Sequence, residues 1–189
     1  IGGKTLLEIS ITKISKIKQI REIVLVYAKR DIYKIKKLKI KNVKLVAGGS
    51  NRQTSTYNAL KYLIQKKTFS KVLIHDAARP NFSKKLLQII IKKMNKARAV
   101  IPKLDICDAI KQKFESSKYE YIIAKDRNNM FLTQTPQAFN LKEIYNLHKN
   151  FSSRYRDDDI SLYLNLDKVK FIQGEKNNFK ITDKADFEI

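Results

Sequence analysis

Val72-Leu73-Ile74-His75-Asp76-Ala77-Ala78-Arg79-Pro80 is the stretch whose reading decides the fold. Val72 to His75 form a short, largely apolar run that reads as a strand, and Asp76 to Pro80 break it, since proline has no amide to give a ladder. An amphipathic segment stands on each side. Arg52 to Lys66 predicts a helix with Tyr57, Leu60, Leu63 and Ile64 in one stripe. Ser83 is placed to cap a second helix running to about Lys96, with Leu86, Leu87, Ile90 and Met94 facing inward. The same alternation continues upstream and downstream. Thr5 to Lys18 reads as a helix, and Arg21 to Tyr27 as a strand whose Ile23 to Val26 run predicts burial on both faces. Val43 to Ala47 is a strand closed by Gly48-Gly49, and Ala99 to Pro102 is a fourth. Alternating helices and strands predict an α/β fold, a mostly parallel sheet with helices on both faces.

From Asp105 to Gln134 the pattern changes. Two β-rich stretches, Ala109 to Phe114 and Tyr119 to Ala124, flank the polar Glu115-Ser116-Ser117-Lys118, which predicts a hairpin standing out from the sheet. Beyond it, Leu141 to Lys149 and Ile160 to Leu166 read as helices, and Val169 to Gln173 and Phe179 to Thr182 as strands. The 189 residues suit one domain, residues 1–189, with 105–134 as an excursion within it.

Composition narrows the function classes. At 43% hydrophobic and 10% aromatic residues, the chain has the material for a packed core and does not read as disordered. Forty basic residues against 18 acidic give a net charge of +22, a balance that suggests nucleic acid or an acidic membrane surface. The lysines are nevertheless spread along the chain instead of gathering on one element, and they accompany many Ile and Asn, residues that an A+T-rich genome over-supplies. No nucleic-acid partner and no membrane partner is expected. The single cysteine, Cys107, forms no intrachain disulfide, no Cys/His spacing matches a zinc site, and no apolar run reaches the ~18 residues needed to span a bilayer. A cytoplasmic protein is expected.

Three unusual clusters fall where predicted strands end, the place where an open α/β sheet binds ligands: Gly48 to Ser55, His75 to Pro80, and Asn177 to Thr182. Gly48-Gly49 allows close approach of a ligand to the backbone, and Ser50 stands at the start of a helix whose amides can donate to polar ligand atoms. Asp76 can hold a hydrated divalent cation or ribose hydroxyls, Ala77 and Ala78 leave room, and Arg79 offers a fork of donors for phosphate. A structural Asp76–Arg79 pair would account for the same residues, and His75 reads as a packed strand-end residue. Lys180, between Phe179 and Ile181, would project from a strand away from both. Asp157-Asp158-Asp159 reads as acidic residues at the N-terminus of the helix that follows.

Taken in order, Gly48-Gly49-x-x-Arg52-x-x-Ser55, His75-Asp76-Ala77-Ala78-Arg79-Pro80, Asp126-Arg127-Asn128, Thr133-Gln134-Thr135-Pro136-Gln137 and Asn178-Phe179-Lys180-Ile181-Thr182 resemble the 2-C-methyl-D-erythritol 4-phosphate cytidylyltransferases, over essentially the whole chain. The resemblance implies a Rossmann-like nucleotidyltransferase fold of the nucleotide-diphospho-sugar transferase type, and a homodimer in which 105–134 is the dimerisation arm. It also implies transfer of a cytidylyl group from CTP to a small sugar-alcohol phosphate with Mg²⁺ as cofactor, in isoprenoid precursor biosynthesis by the non-mevalonate route. By motif, Gly48, Gly49, Ser50, Ser55, Asp76 and Ala77 are expected to bind the nucleotide, Gly49, Ser50 and Ser55 at the cytosine and Asp76 and Ala77 around the ribose, with Asp76 on the metal. Arg79 and Thr135 are expected to bind the substrate, and Arg127 and Lys180 to be catalytic, Arg127 from the partner subunit.

Two departures stand out. The family opens with a glycine-rich loop bearing Arg and Lys, and Ile1-Gly2-Gly3-Lys4 resembles the segment after it, so a fragment of impaired activity is expected. Ala109 stands where the family commonly has a substrate-contacting Thr. A longer parent chain fused to a cyclodiphosphate synthase domain is a further expectation. The alternatives are a ribitol-5-phosphate cytidylyltransferase and, from another class, a basic nucleic-acid-binding protein.

Overall fold

The computed structural model describes residues 3–38, 40, 42–115, 120–150 and 158–187. Helix α1 (Leu6–Ser15) opens on a capping box: the Thr5 hydroxyl accepts from the Glu8 amide, and the Glu8 carboxylate accepts from the Thr5 amide. Strands β1 (Ile23–Tyr27) and β2 (Val43–Ala47) pair in parallel, Ile23 opposite Val43, with the short helix α2 (Ile32–Lys37) in the connection. Helix α3 (Arg52–Gln65) is capped by Asn51, whose side chain accepts from the Thr54 amide. Strand β3 (Lys71–Ile74) leads into α4 (Lys84–Lys93), where the Ser83 hydroxyl accepts from the Leu86 amide at 3.0 Å, the cap read from the sequence.

Strand β4 (Ala99–Asp105) is longer than its apolar core. It is followed by the antiparallel hairpin β5 (Ile110–Glu115) and β6 (Glu120–Lys125), then β7 (Phe131–Thr133), β8 (Gln137–Asn140), α5 (Leu141–Lys149) and β9 (Val169–Gln173). The tip of the hairpin, 116–119, lies outside the described residues. In the main sheet β8 runs antiparallel between β3 and β4, so β3 and β4 share a direction, and β9 joins β4 in parallel. The far end of β4 pairs with β7, Lys103 opposite Thr133, which anchors the hairpin excursion to the sheet.

Successive side chains of β4 point to opposite faces of the sheet and join different core clusters. Val100 belongs to a core cluster with Phe82, Leu86, Leu87, Ile90 and Ile172, while Ala99 and Ile101 belong to a second with Leu60, Phe139, Leu141 and Ile144. Both faces of the sheet are therefore covered, α4 on one and α3 and α5 on the other. Each of the Val, Leu, Ile and Phe side chains among these contributes roughly 1.5–3 kcal/mol of hydrophobic stabilisation when fully buried.

Three expectations are corrected. Strand β1 is half-buried along its length instead of buried on both faces, because among the described residues it pairs only with β2. Its other edge and that of β3 line a cavity of about 670 Å³, Ile23 to Val26 on one side and Lys71 to Ile74 on the other. Ile160 to Leu166 is not a helix but a single 3₁₀ turn, Ile160–Leu162. Ile160, Leu162 and Tyr163 are the residues that pack, whereas Leu164 is 94% exposed, and the Asn165 side chain accepts from the Asp167 amide to start a new turn. Phe179 to Thr182 forms no strand; its tie to β3's end is one backbone bond, Ile181 N–H to the Ala78 carbonyl at 2.9 Å.

Candidate active site

The ends of β2 and β3 and the segment after β9 meet on one side of the sheet. Past β2, the Gly48 amide donates to the Tyr27 carbonyl at 2.8 Å and the Gly49 amide to the Ser55 hydroxyl at 3.0 Å. The turn thus folds back on the first turn of α3. A Cβ at Gly49 would overlap the Thr54 hydroxyl, and one at Gly48 would meet Ser55 Oγ at 2.8 Å, so glycine permits the close packing. Gly49 and Ser50 face solvent. The Ser55 hydroxyl accepts from Gly49, which leaves its proton to donate elsewhere.

Past β3, the Arg79 amide donates to the Asp76 carbonyl, and this turn puts carboxylate and guanidinium side by side, Arg79 Nε 4.0 Å from Asp76 Oδ2. Asp76 is ringed by cations. Lys180 Nζ lies 3.4 Å from Oδ2 and Arg52 Nε 3.9 Å from Oδ1. Burial lowers the Arg79 pKa, against the opposing pull of Asp76. Exposed Ala77 lies beside this group, its carbonyl accepting from Ser10 of α1. His75 is a packed strand-end residue, as read: it sits edge-on to Phe82, its Nε2 is 3.1 Å from the Arg79 carbonyl, and burial pushes its pKa down to about 4.

Thr135, expected to face a substrate, is 4% exposed, and its hydroxyl accepts from the Asp76 amide at 3.0 Å. It supports Asp76 from beneath. Asn178, fully buried, donates from its side chain to the Thr135 carbonyl, and its own carbonyl accepts from Arg79 Nη1 and Gln134 Nε2. Gln134 also bonds both the amide and the carbonyl of Glu175. At Gly174 a Cβ would lie 2.5 Å from Gln134 Oε1 and 3.0 Å from the Lys103 carbonyl. These bonds fix the loop that carries Lys180.

Gly48, Gly49, Ser50 and Ser55 thus form one turn, and Asp76, Ala77, Arg79, Thr135 and Lys180 one cluster, with Arg52 between them. Arg127 is not among them. It starts a 3₁₀ turn after β6, and its guanidinium donates to the Cys107 carbonyl at the base of the same hairpin. Ala109 directly precedes β5.

The acidic run was misread. Asp157 lies outside the described residues. Asp158 and Asp159 are not solvated acids at a helix start. Asp158 accepts from Thr133, Gln137 and Ser161. Asp159, its side chain 0% exposed, lies 2.9 Å from His148 Nε2 and 2.6 Å from Arg52 Nη2. Burial alone would raise the Asp159 pKa; the His148 hydrogen bond and the Arg52 charge outweigh it and hold the carboxyl below the usual range. The same pair raises the Arg52 pKa against its own burial.

Among the described residues, no three His, Cys, Asp or Glu side chains gather as a metal cage, and no helix is long and apolar enough to cross a membrane. Among the described residues, Asp76 alone offers a carboxylate at the cleft. That fits Mg²⁺, which dehydrates reluctantly and is commonly held by one or two carboxylates plus substrate phosphates.

The family model for 2-C-methyl-D-erythritol 4-phosphate cytidylyltransferase matches residues 1–189. The chain is 41% identical over 186 residues to the bifunctional enzyme IspD/IspF of Pelagibacter ubique, covering 98% of itself and 49% of that protein, so it spans about half the length of this relative. With the 2-C-methyl-D-erythritol 4-phosphate cytidylyltransferase of Clostridium acetobutylicum it shares 35% identity, over 98% of this chain and 83% of the other. The crystal structure of 4-diphosphocytidyl-2C-methyl-D-erythritol synthase from Anaerococcus prevotii superposes with a TM-score of 0.84 at 34% identity, covering 100% of this chain and 85% of that one. The fold expected from the sequence, a Rossmann-like nucleotidyltransferase, is the fold of that structure. With the Gly48 to Ser55 turn beside the Asp76 cluster, and with similarity over the whole chain, this protein belongs to the 2-C-methyl-D-erythritol 4-phosphate cytidylyltransferase family.

Proposed function

We propose that the protein transfers a cytidylyl group from CTP to 2-C-methyl-D-erythritol 4-phosphate. A phosphate oxygen of the sugar-alcohol phosphate forms a bond to the α-phosphorus, the bond from that phosphorus to the bridging oxygen of the β-phosphate breaks, and pyrophosphate leaves. The observation that carries this reading is the ring of Arg52, Arg79 and Lys180 within 4.0 Å of Asp76, beside the Gly48 to Ser55 turn. A single carboxylate among cations suits a site that binds several phosphates, and preorganised charge is the main catalytic resource of phosphoryl transfer.

The turn from Gly48 through Ser50, with Ser55, reads the cytosine through backbone groups and the hydroxyl. Asp76 and Ala77 meet the ribose, and Asp76 holds Mg²⁺. The metal, when bound, neutralises charge on the phosphoryl oxygens. Arg79 and Lys180 orient the attacking phosphate and stabilise the charge that builds during transfer, while Thr135 acts from below by holding the Asp76 backbone. Arg127 reaches the active site of a partner subunit. This role is supported by its place between the hairpin and β7, where Ile122 and Ile123 of β6, Met130, and Phe131 and Leu132 of β7 are exposed, an apolar surface that a second copy would cover. A homodimer follows. The protein is proposed to be a cytoplasmic enzyme joined to a cyclodiphosphate synthase domain, a reading supported by its similarity to about half of a bifunctional IspD/IspF relative.

The test is pyrophosphate release by the purified full-length protein with CTP and 2-C-methyl-D-erythritol 4-phosphate, against UTP, ATP and ribitol 5-phosphate. Release with CTP and the methylerythritol substrate is expected; release with ribitol 5-phosphate alone would overturn the substrate. The trans role is tested by mixing Arg127→Ala with Lys180→Ala subunits. Recovery toward half of wild-type activity per dimer is expected, and heterodimers as inactive as their parents would place Arg127 in its own subunit's site.

A further inference from the structure

Two ionisable side chains lie deep in the molecule without facing the cleft. The Asp159 and His148 side chains are 0% and 3% exposed and pack together at the end of α5. Burying a carboxylate is costly unless its partners are well placed, and apolar side chains of similar volume commonly serve stability as well or better. The geometry shows where these two lead. Asp159 accepts from His148 on Oδ1, and this fixes the direction in which Oδ2 meets Arg52. Arg52 is the first residue of α3, next to the Asn51 cap. Its Nε faces Asp76 at 3.9 Å. Its Nη1 is buried with no hydrogen-bond partner among the described residues, so the guanidinium depends on the Asp159 contact for its orientation.

We propose that His148 and Asp159 are positioning residues for nucleotide recognition: they hold Arg52, and through it they set the Gly48 to Ser55 turn in register with Asp76. This inference rests on the reading of that turn as the base-binding element. Without the His148 hydrogen bond the Asp159 carboxylate rotates, Arg52 loses its fixed partner, and the two halves of the cleft no longer share a reference point. His148 touches neither the turn nor Asp76 in any contact described. It acts at a distance of two side chains, and its effect falls on nucleotide binding more than on the chemical step.

The experiment uses the full-length enzyme with CTP or UTP and 2-C-methyl-D-erythritol 4-phosphate. His148→Leu keeps an apolar fill and removes the donor; His148→Gln keeps a side-chain N–H. For His148→Leu, KM for CTP should rise roughly tenfold, equivalent to about 1.4 kcal/mol, with a similar loss of preference for CTP over UTP and kcat within about threefold. His148→Gln should recover most of both losses. Melting temperature is measured in parallel, because a purely structural role would lower it while leaving KM and preference unchanged, and that result overturns the proposal. If His148→Leu does not fold, His148→Met, which also lacks the donor, decides by the same two readouts. A wild-type protein that releases no pyrophosphate from CTP overturns the assigned function and this inference together. An active wild type beside a His148→Leu variant of unaltered KM and preference overturns this inference alone.

Discussion

The middle of β4 and the hairpin β5–β6 are both strands, and they are held in opposite ways. Ala99, Val100 and Ile101 are wholly buried, with neighbours on both edges and helices on both faces. The hairpin strands pair only with each other among the described residues, and Ile122 is 64% exposed. An isolated two-stranded ribbon is marginal in water. The sheet is held by its own packing, and the hairpin is the part that a second copy would cover under the proposed dimer. The difference divides the two residues assigned to catalysis. Lys180 is carried by a loop pinned to the sheet through Asn178 and Ile181, while Arg127 stands in the turn that follows the hairpin and is held to the Cys107 carbonyl.

The sharpest test of this contrast is a core truncation. Phe139→Ala, at a fully buried position, should cost about 3–5 kcal/mol in urea unfolding. A loss below ~1 kcal/mol would mean that the sheet is not the stabilising unit. Next, Lys180→Ala should lower kcat/KM by ~100-fold or more, the scale of one preorganised electrostatic contact at ~2.7–4 kcal/mol. CTP affinity in calorimetry should change little. Turnover within a few-fold of wild type would reduce Lys180 to a surface lysine.

Asp159→Asn probes the rigid half through acid. The folded carboxyl has a pKa below its ordinary value of 3.8, so the unfolded chain takes up this proton first. Its contribution is present above pH 3.8 and is lost as pH falls through the folded-state pKa. The stability gap between wild type and Asp159→Asn should narrow as pH drops below that value, and a gap independent of pH would detach the carboxylate from stability. The smallest effect is expected on the hairpin: Ile122→Ala should leave subunit stability within about 0.5 kcal/mol, as exposed substitutions usually do. Analytical ultracentrifugation should instead show weaker self-association. A large loss of subunit stability would show that the hairpin packs on its own chain.

Much of this was readable before any coordinates. The strands β2, β3 and β9 and the helices α3, α4 and α5 follow from local apolar periodicity and capping residues, which the chain states within a few positions of each element. The Gly48 turn and the Asp76 cluster are legible because each directly follows an apolar run that reads as a strand, and because the chain has only five glycines and three prolines. The acidic pair is not. Asp159 meets His148 eleven positions back and Arg52 at a separation of 107, and nothing in the local pattern separates a buried acid from a solvated one. Ile160 to Leu166 misled for a related reason: apolar residues at near-helical spacing served a turn, with Tyr163 taken into the core and Leu164 left outside.

Gly174 shows how far the reach of the site extends. It contributes no functional group, but its missing side chain makes the space in which the Gln134 amide lies, between the Lys103 carbonyl and the loop to Asn178. Variation there would behave like a miscut shim under a machine bed. Alanine would lift Gln134, the loop beyond Glu175 would be relevelled, and Lys180 would lose its aim at Asp76, so a natural variant at this outlying glycine would be scored as catalytically defective with every reacting group intact.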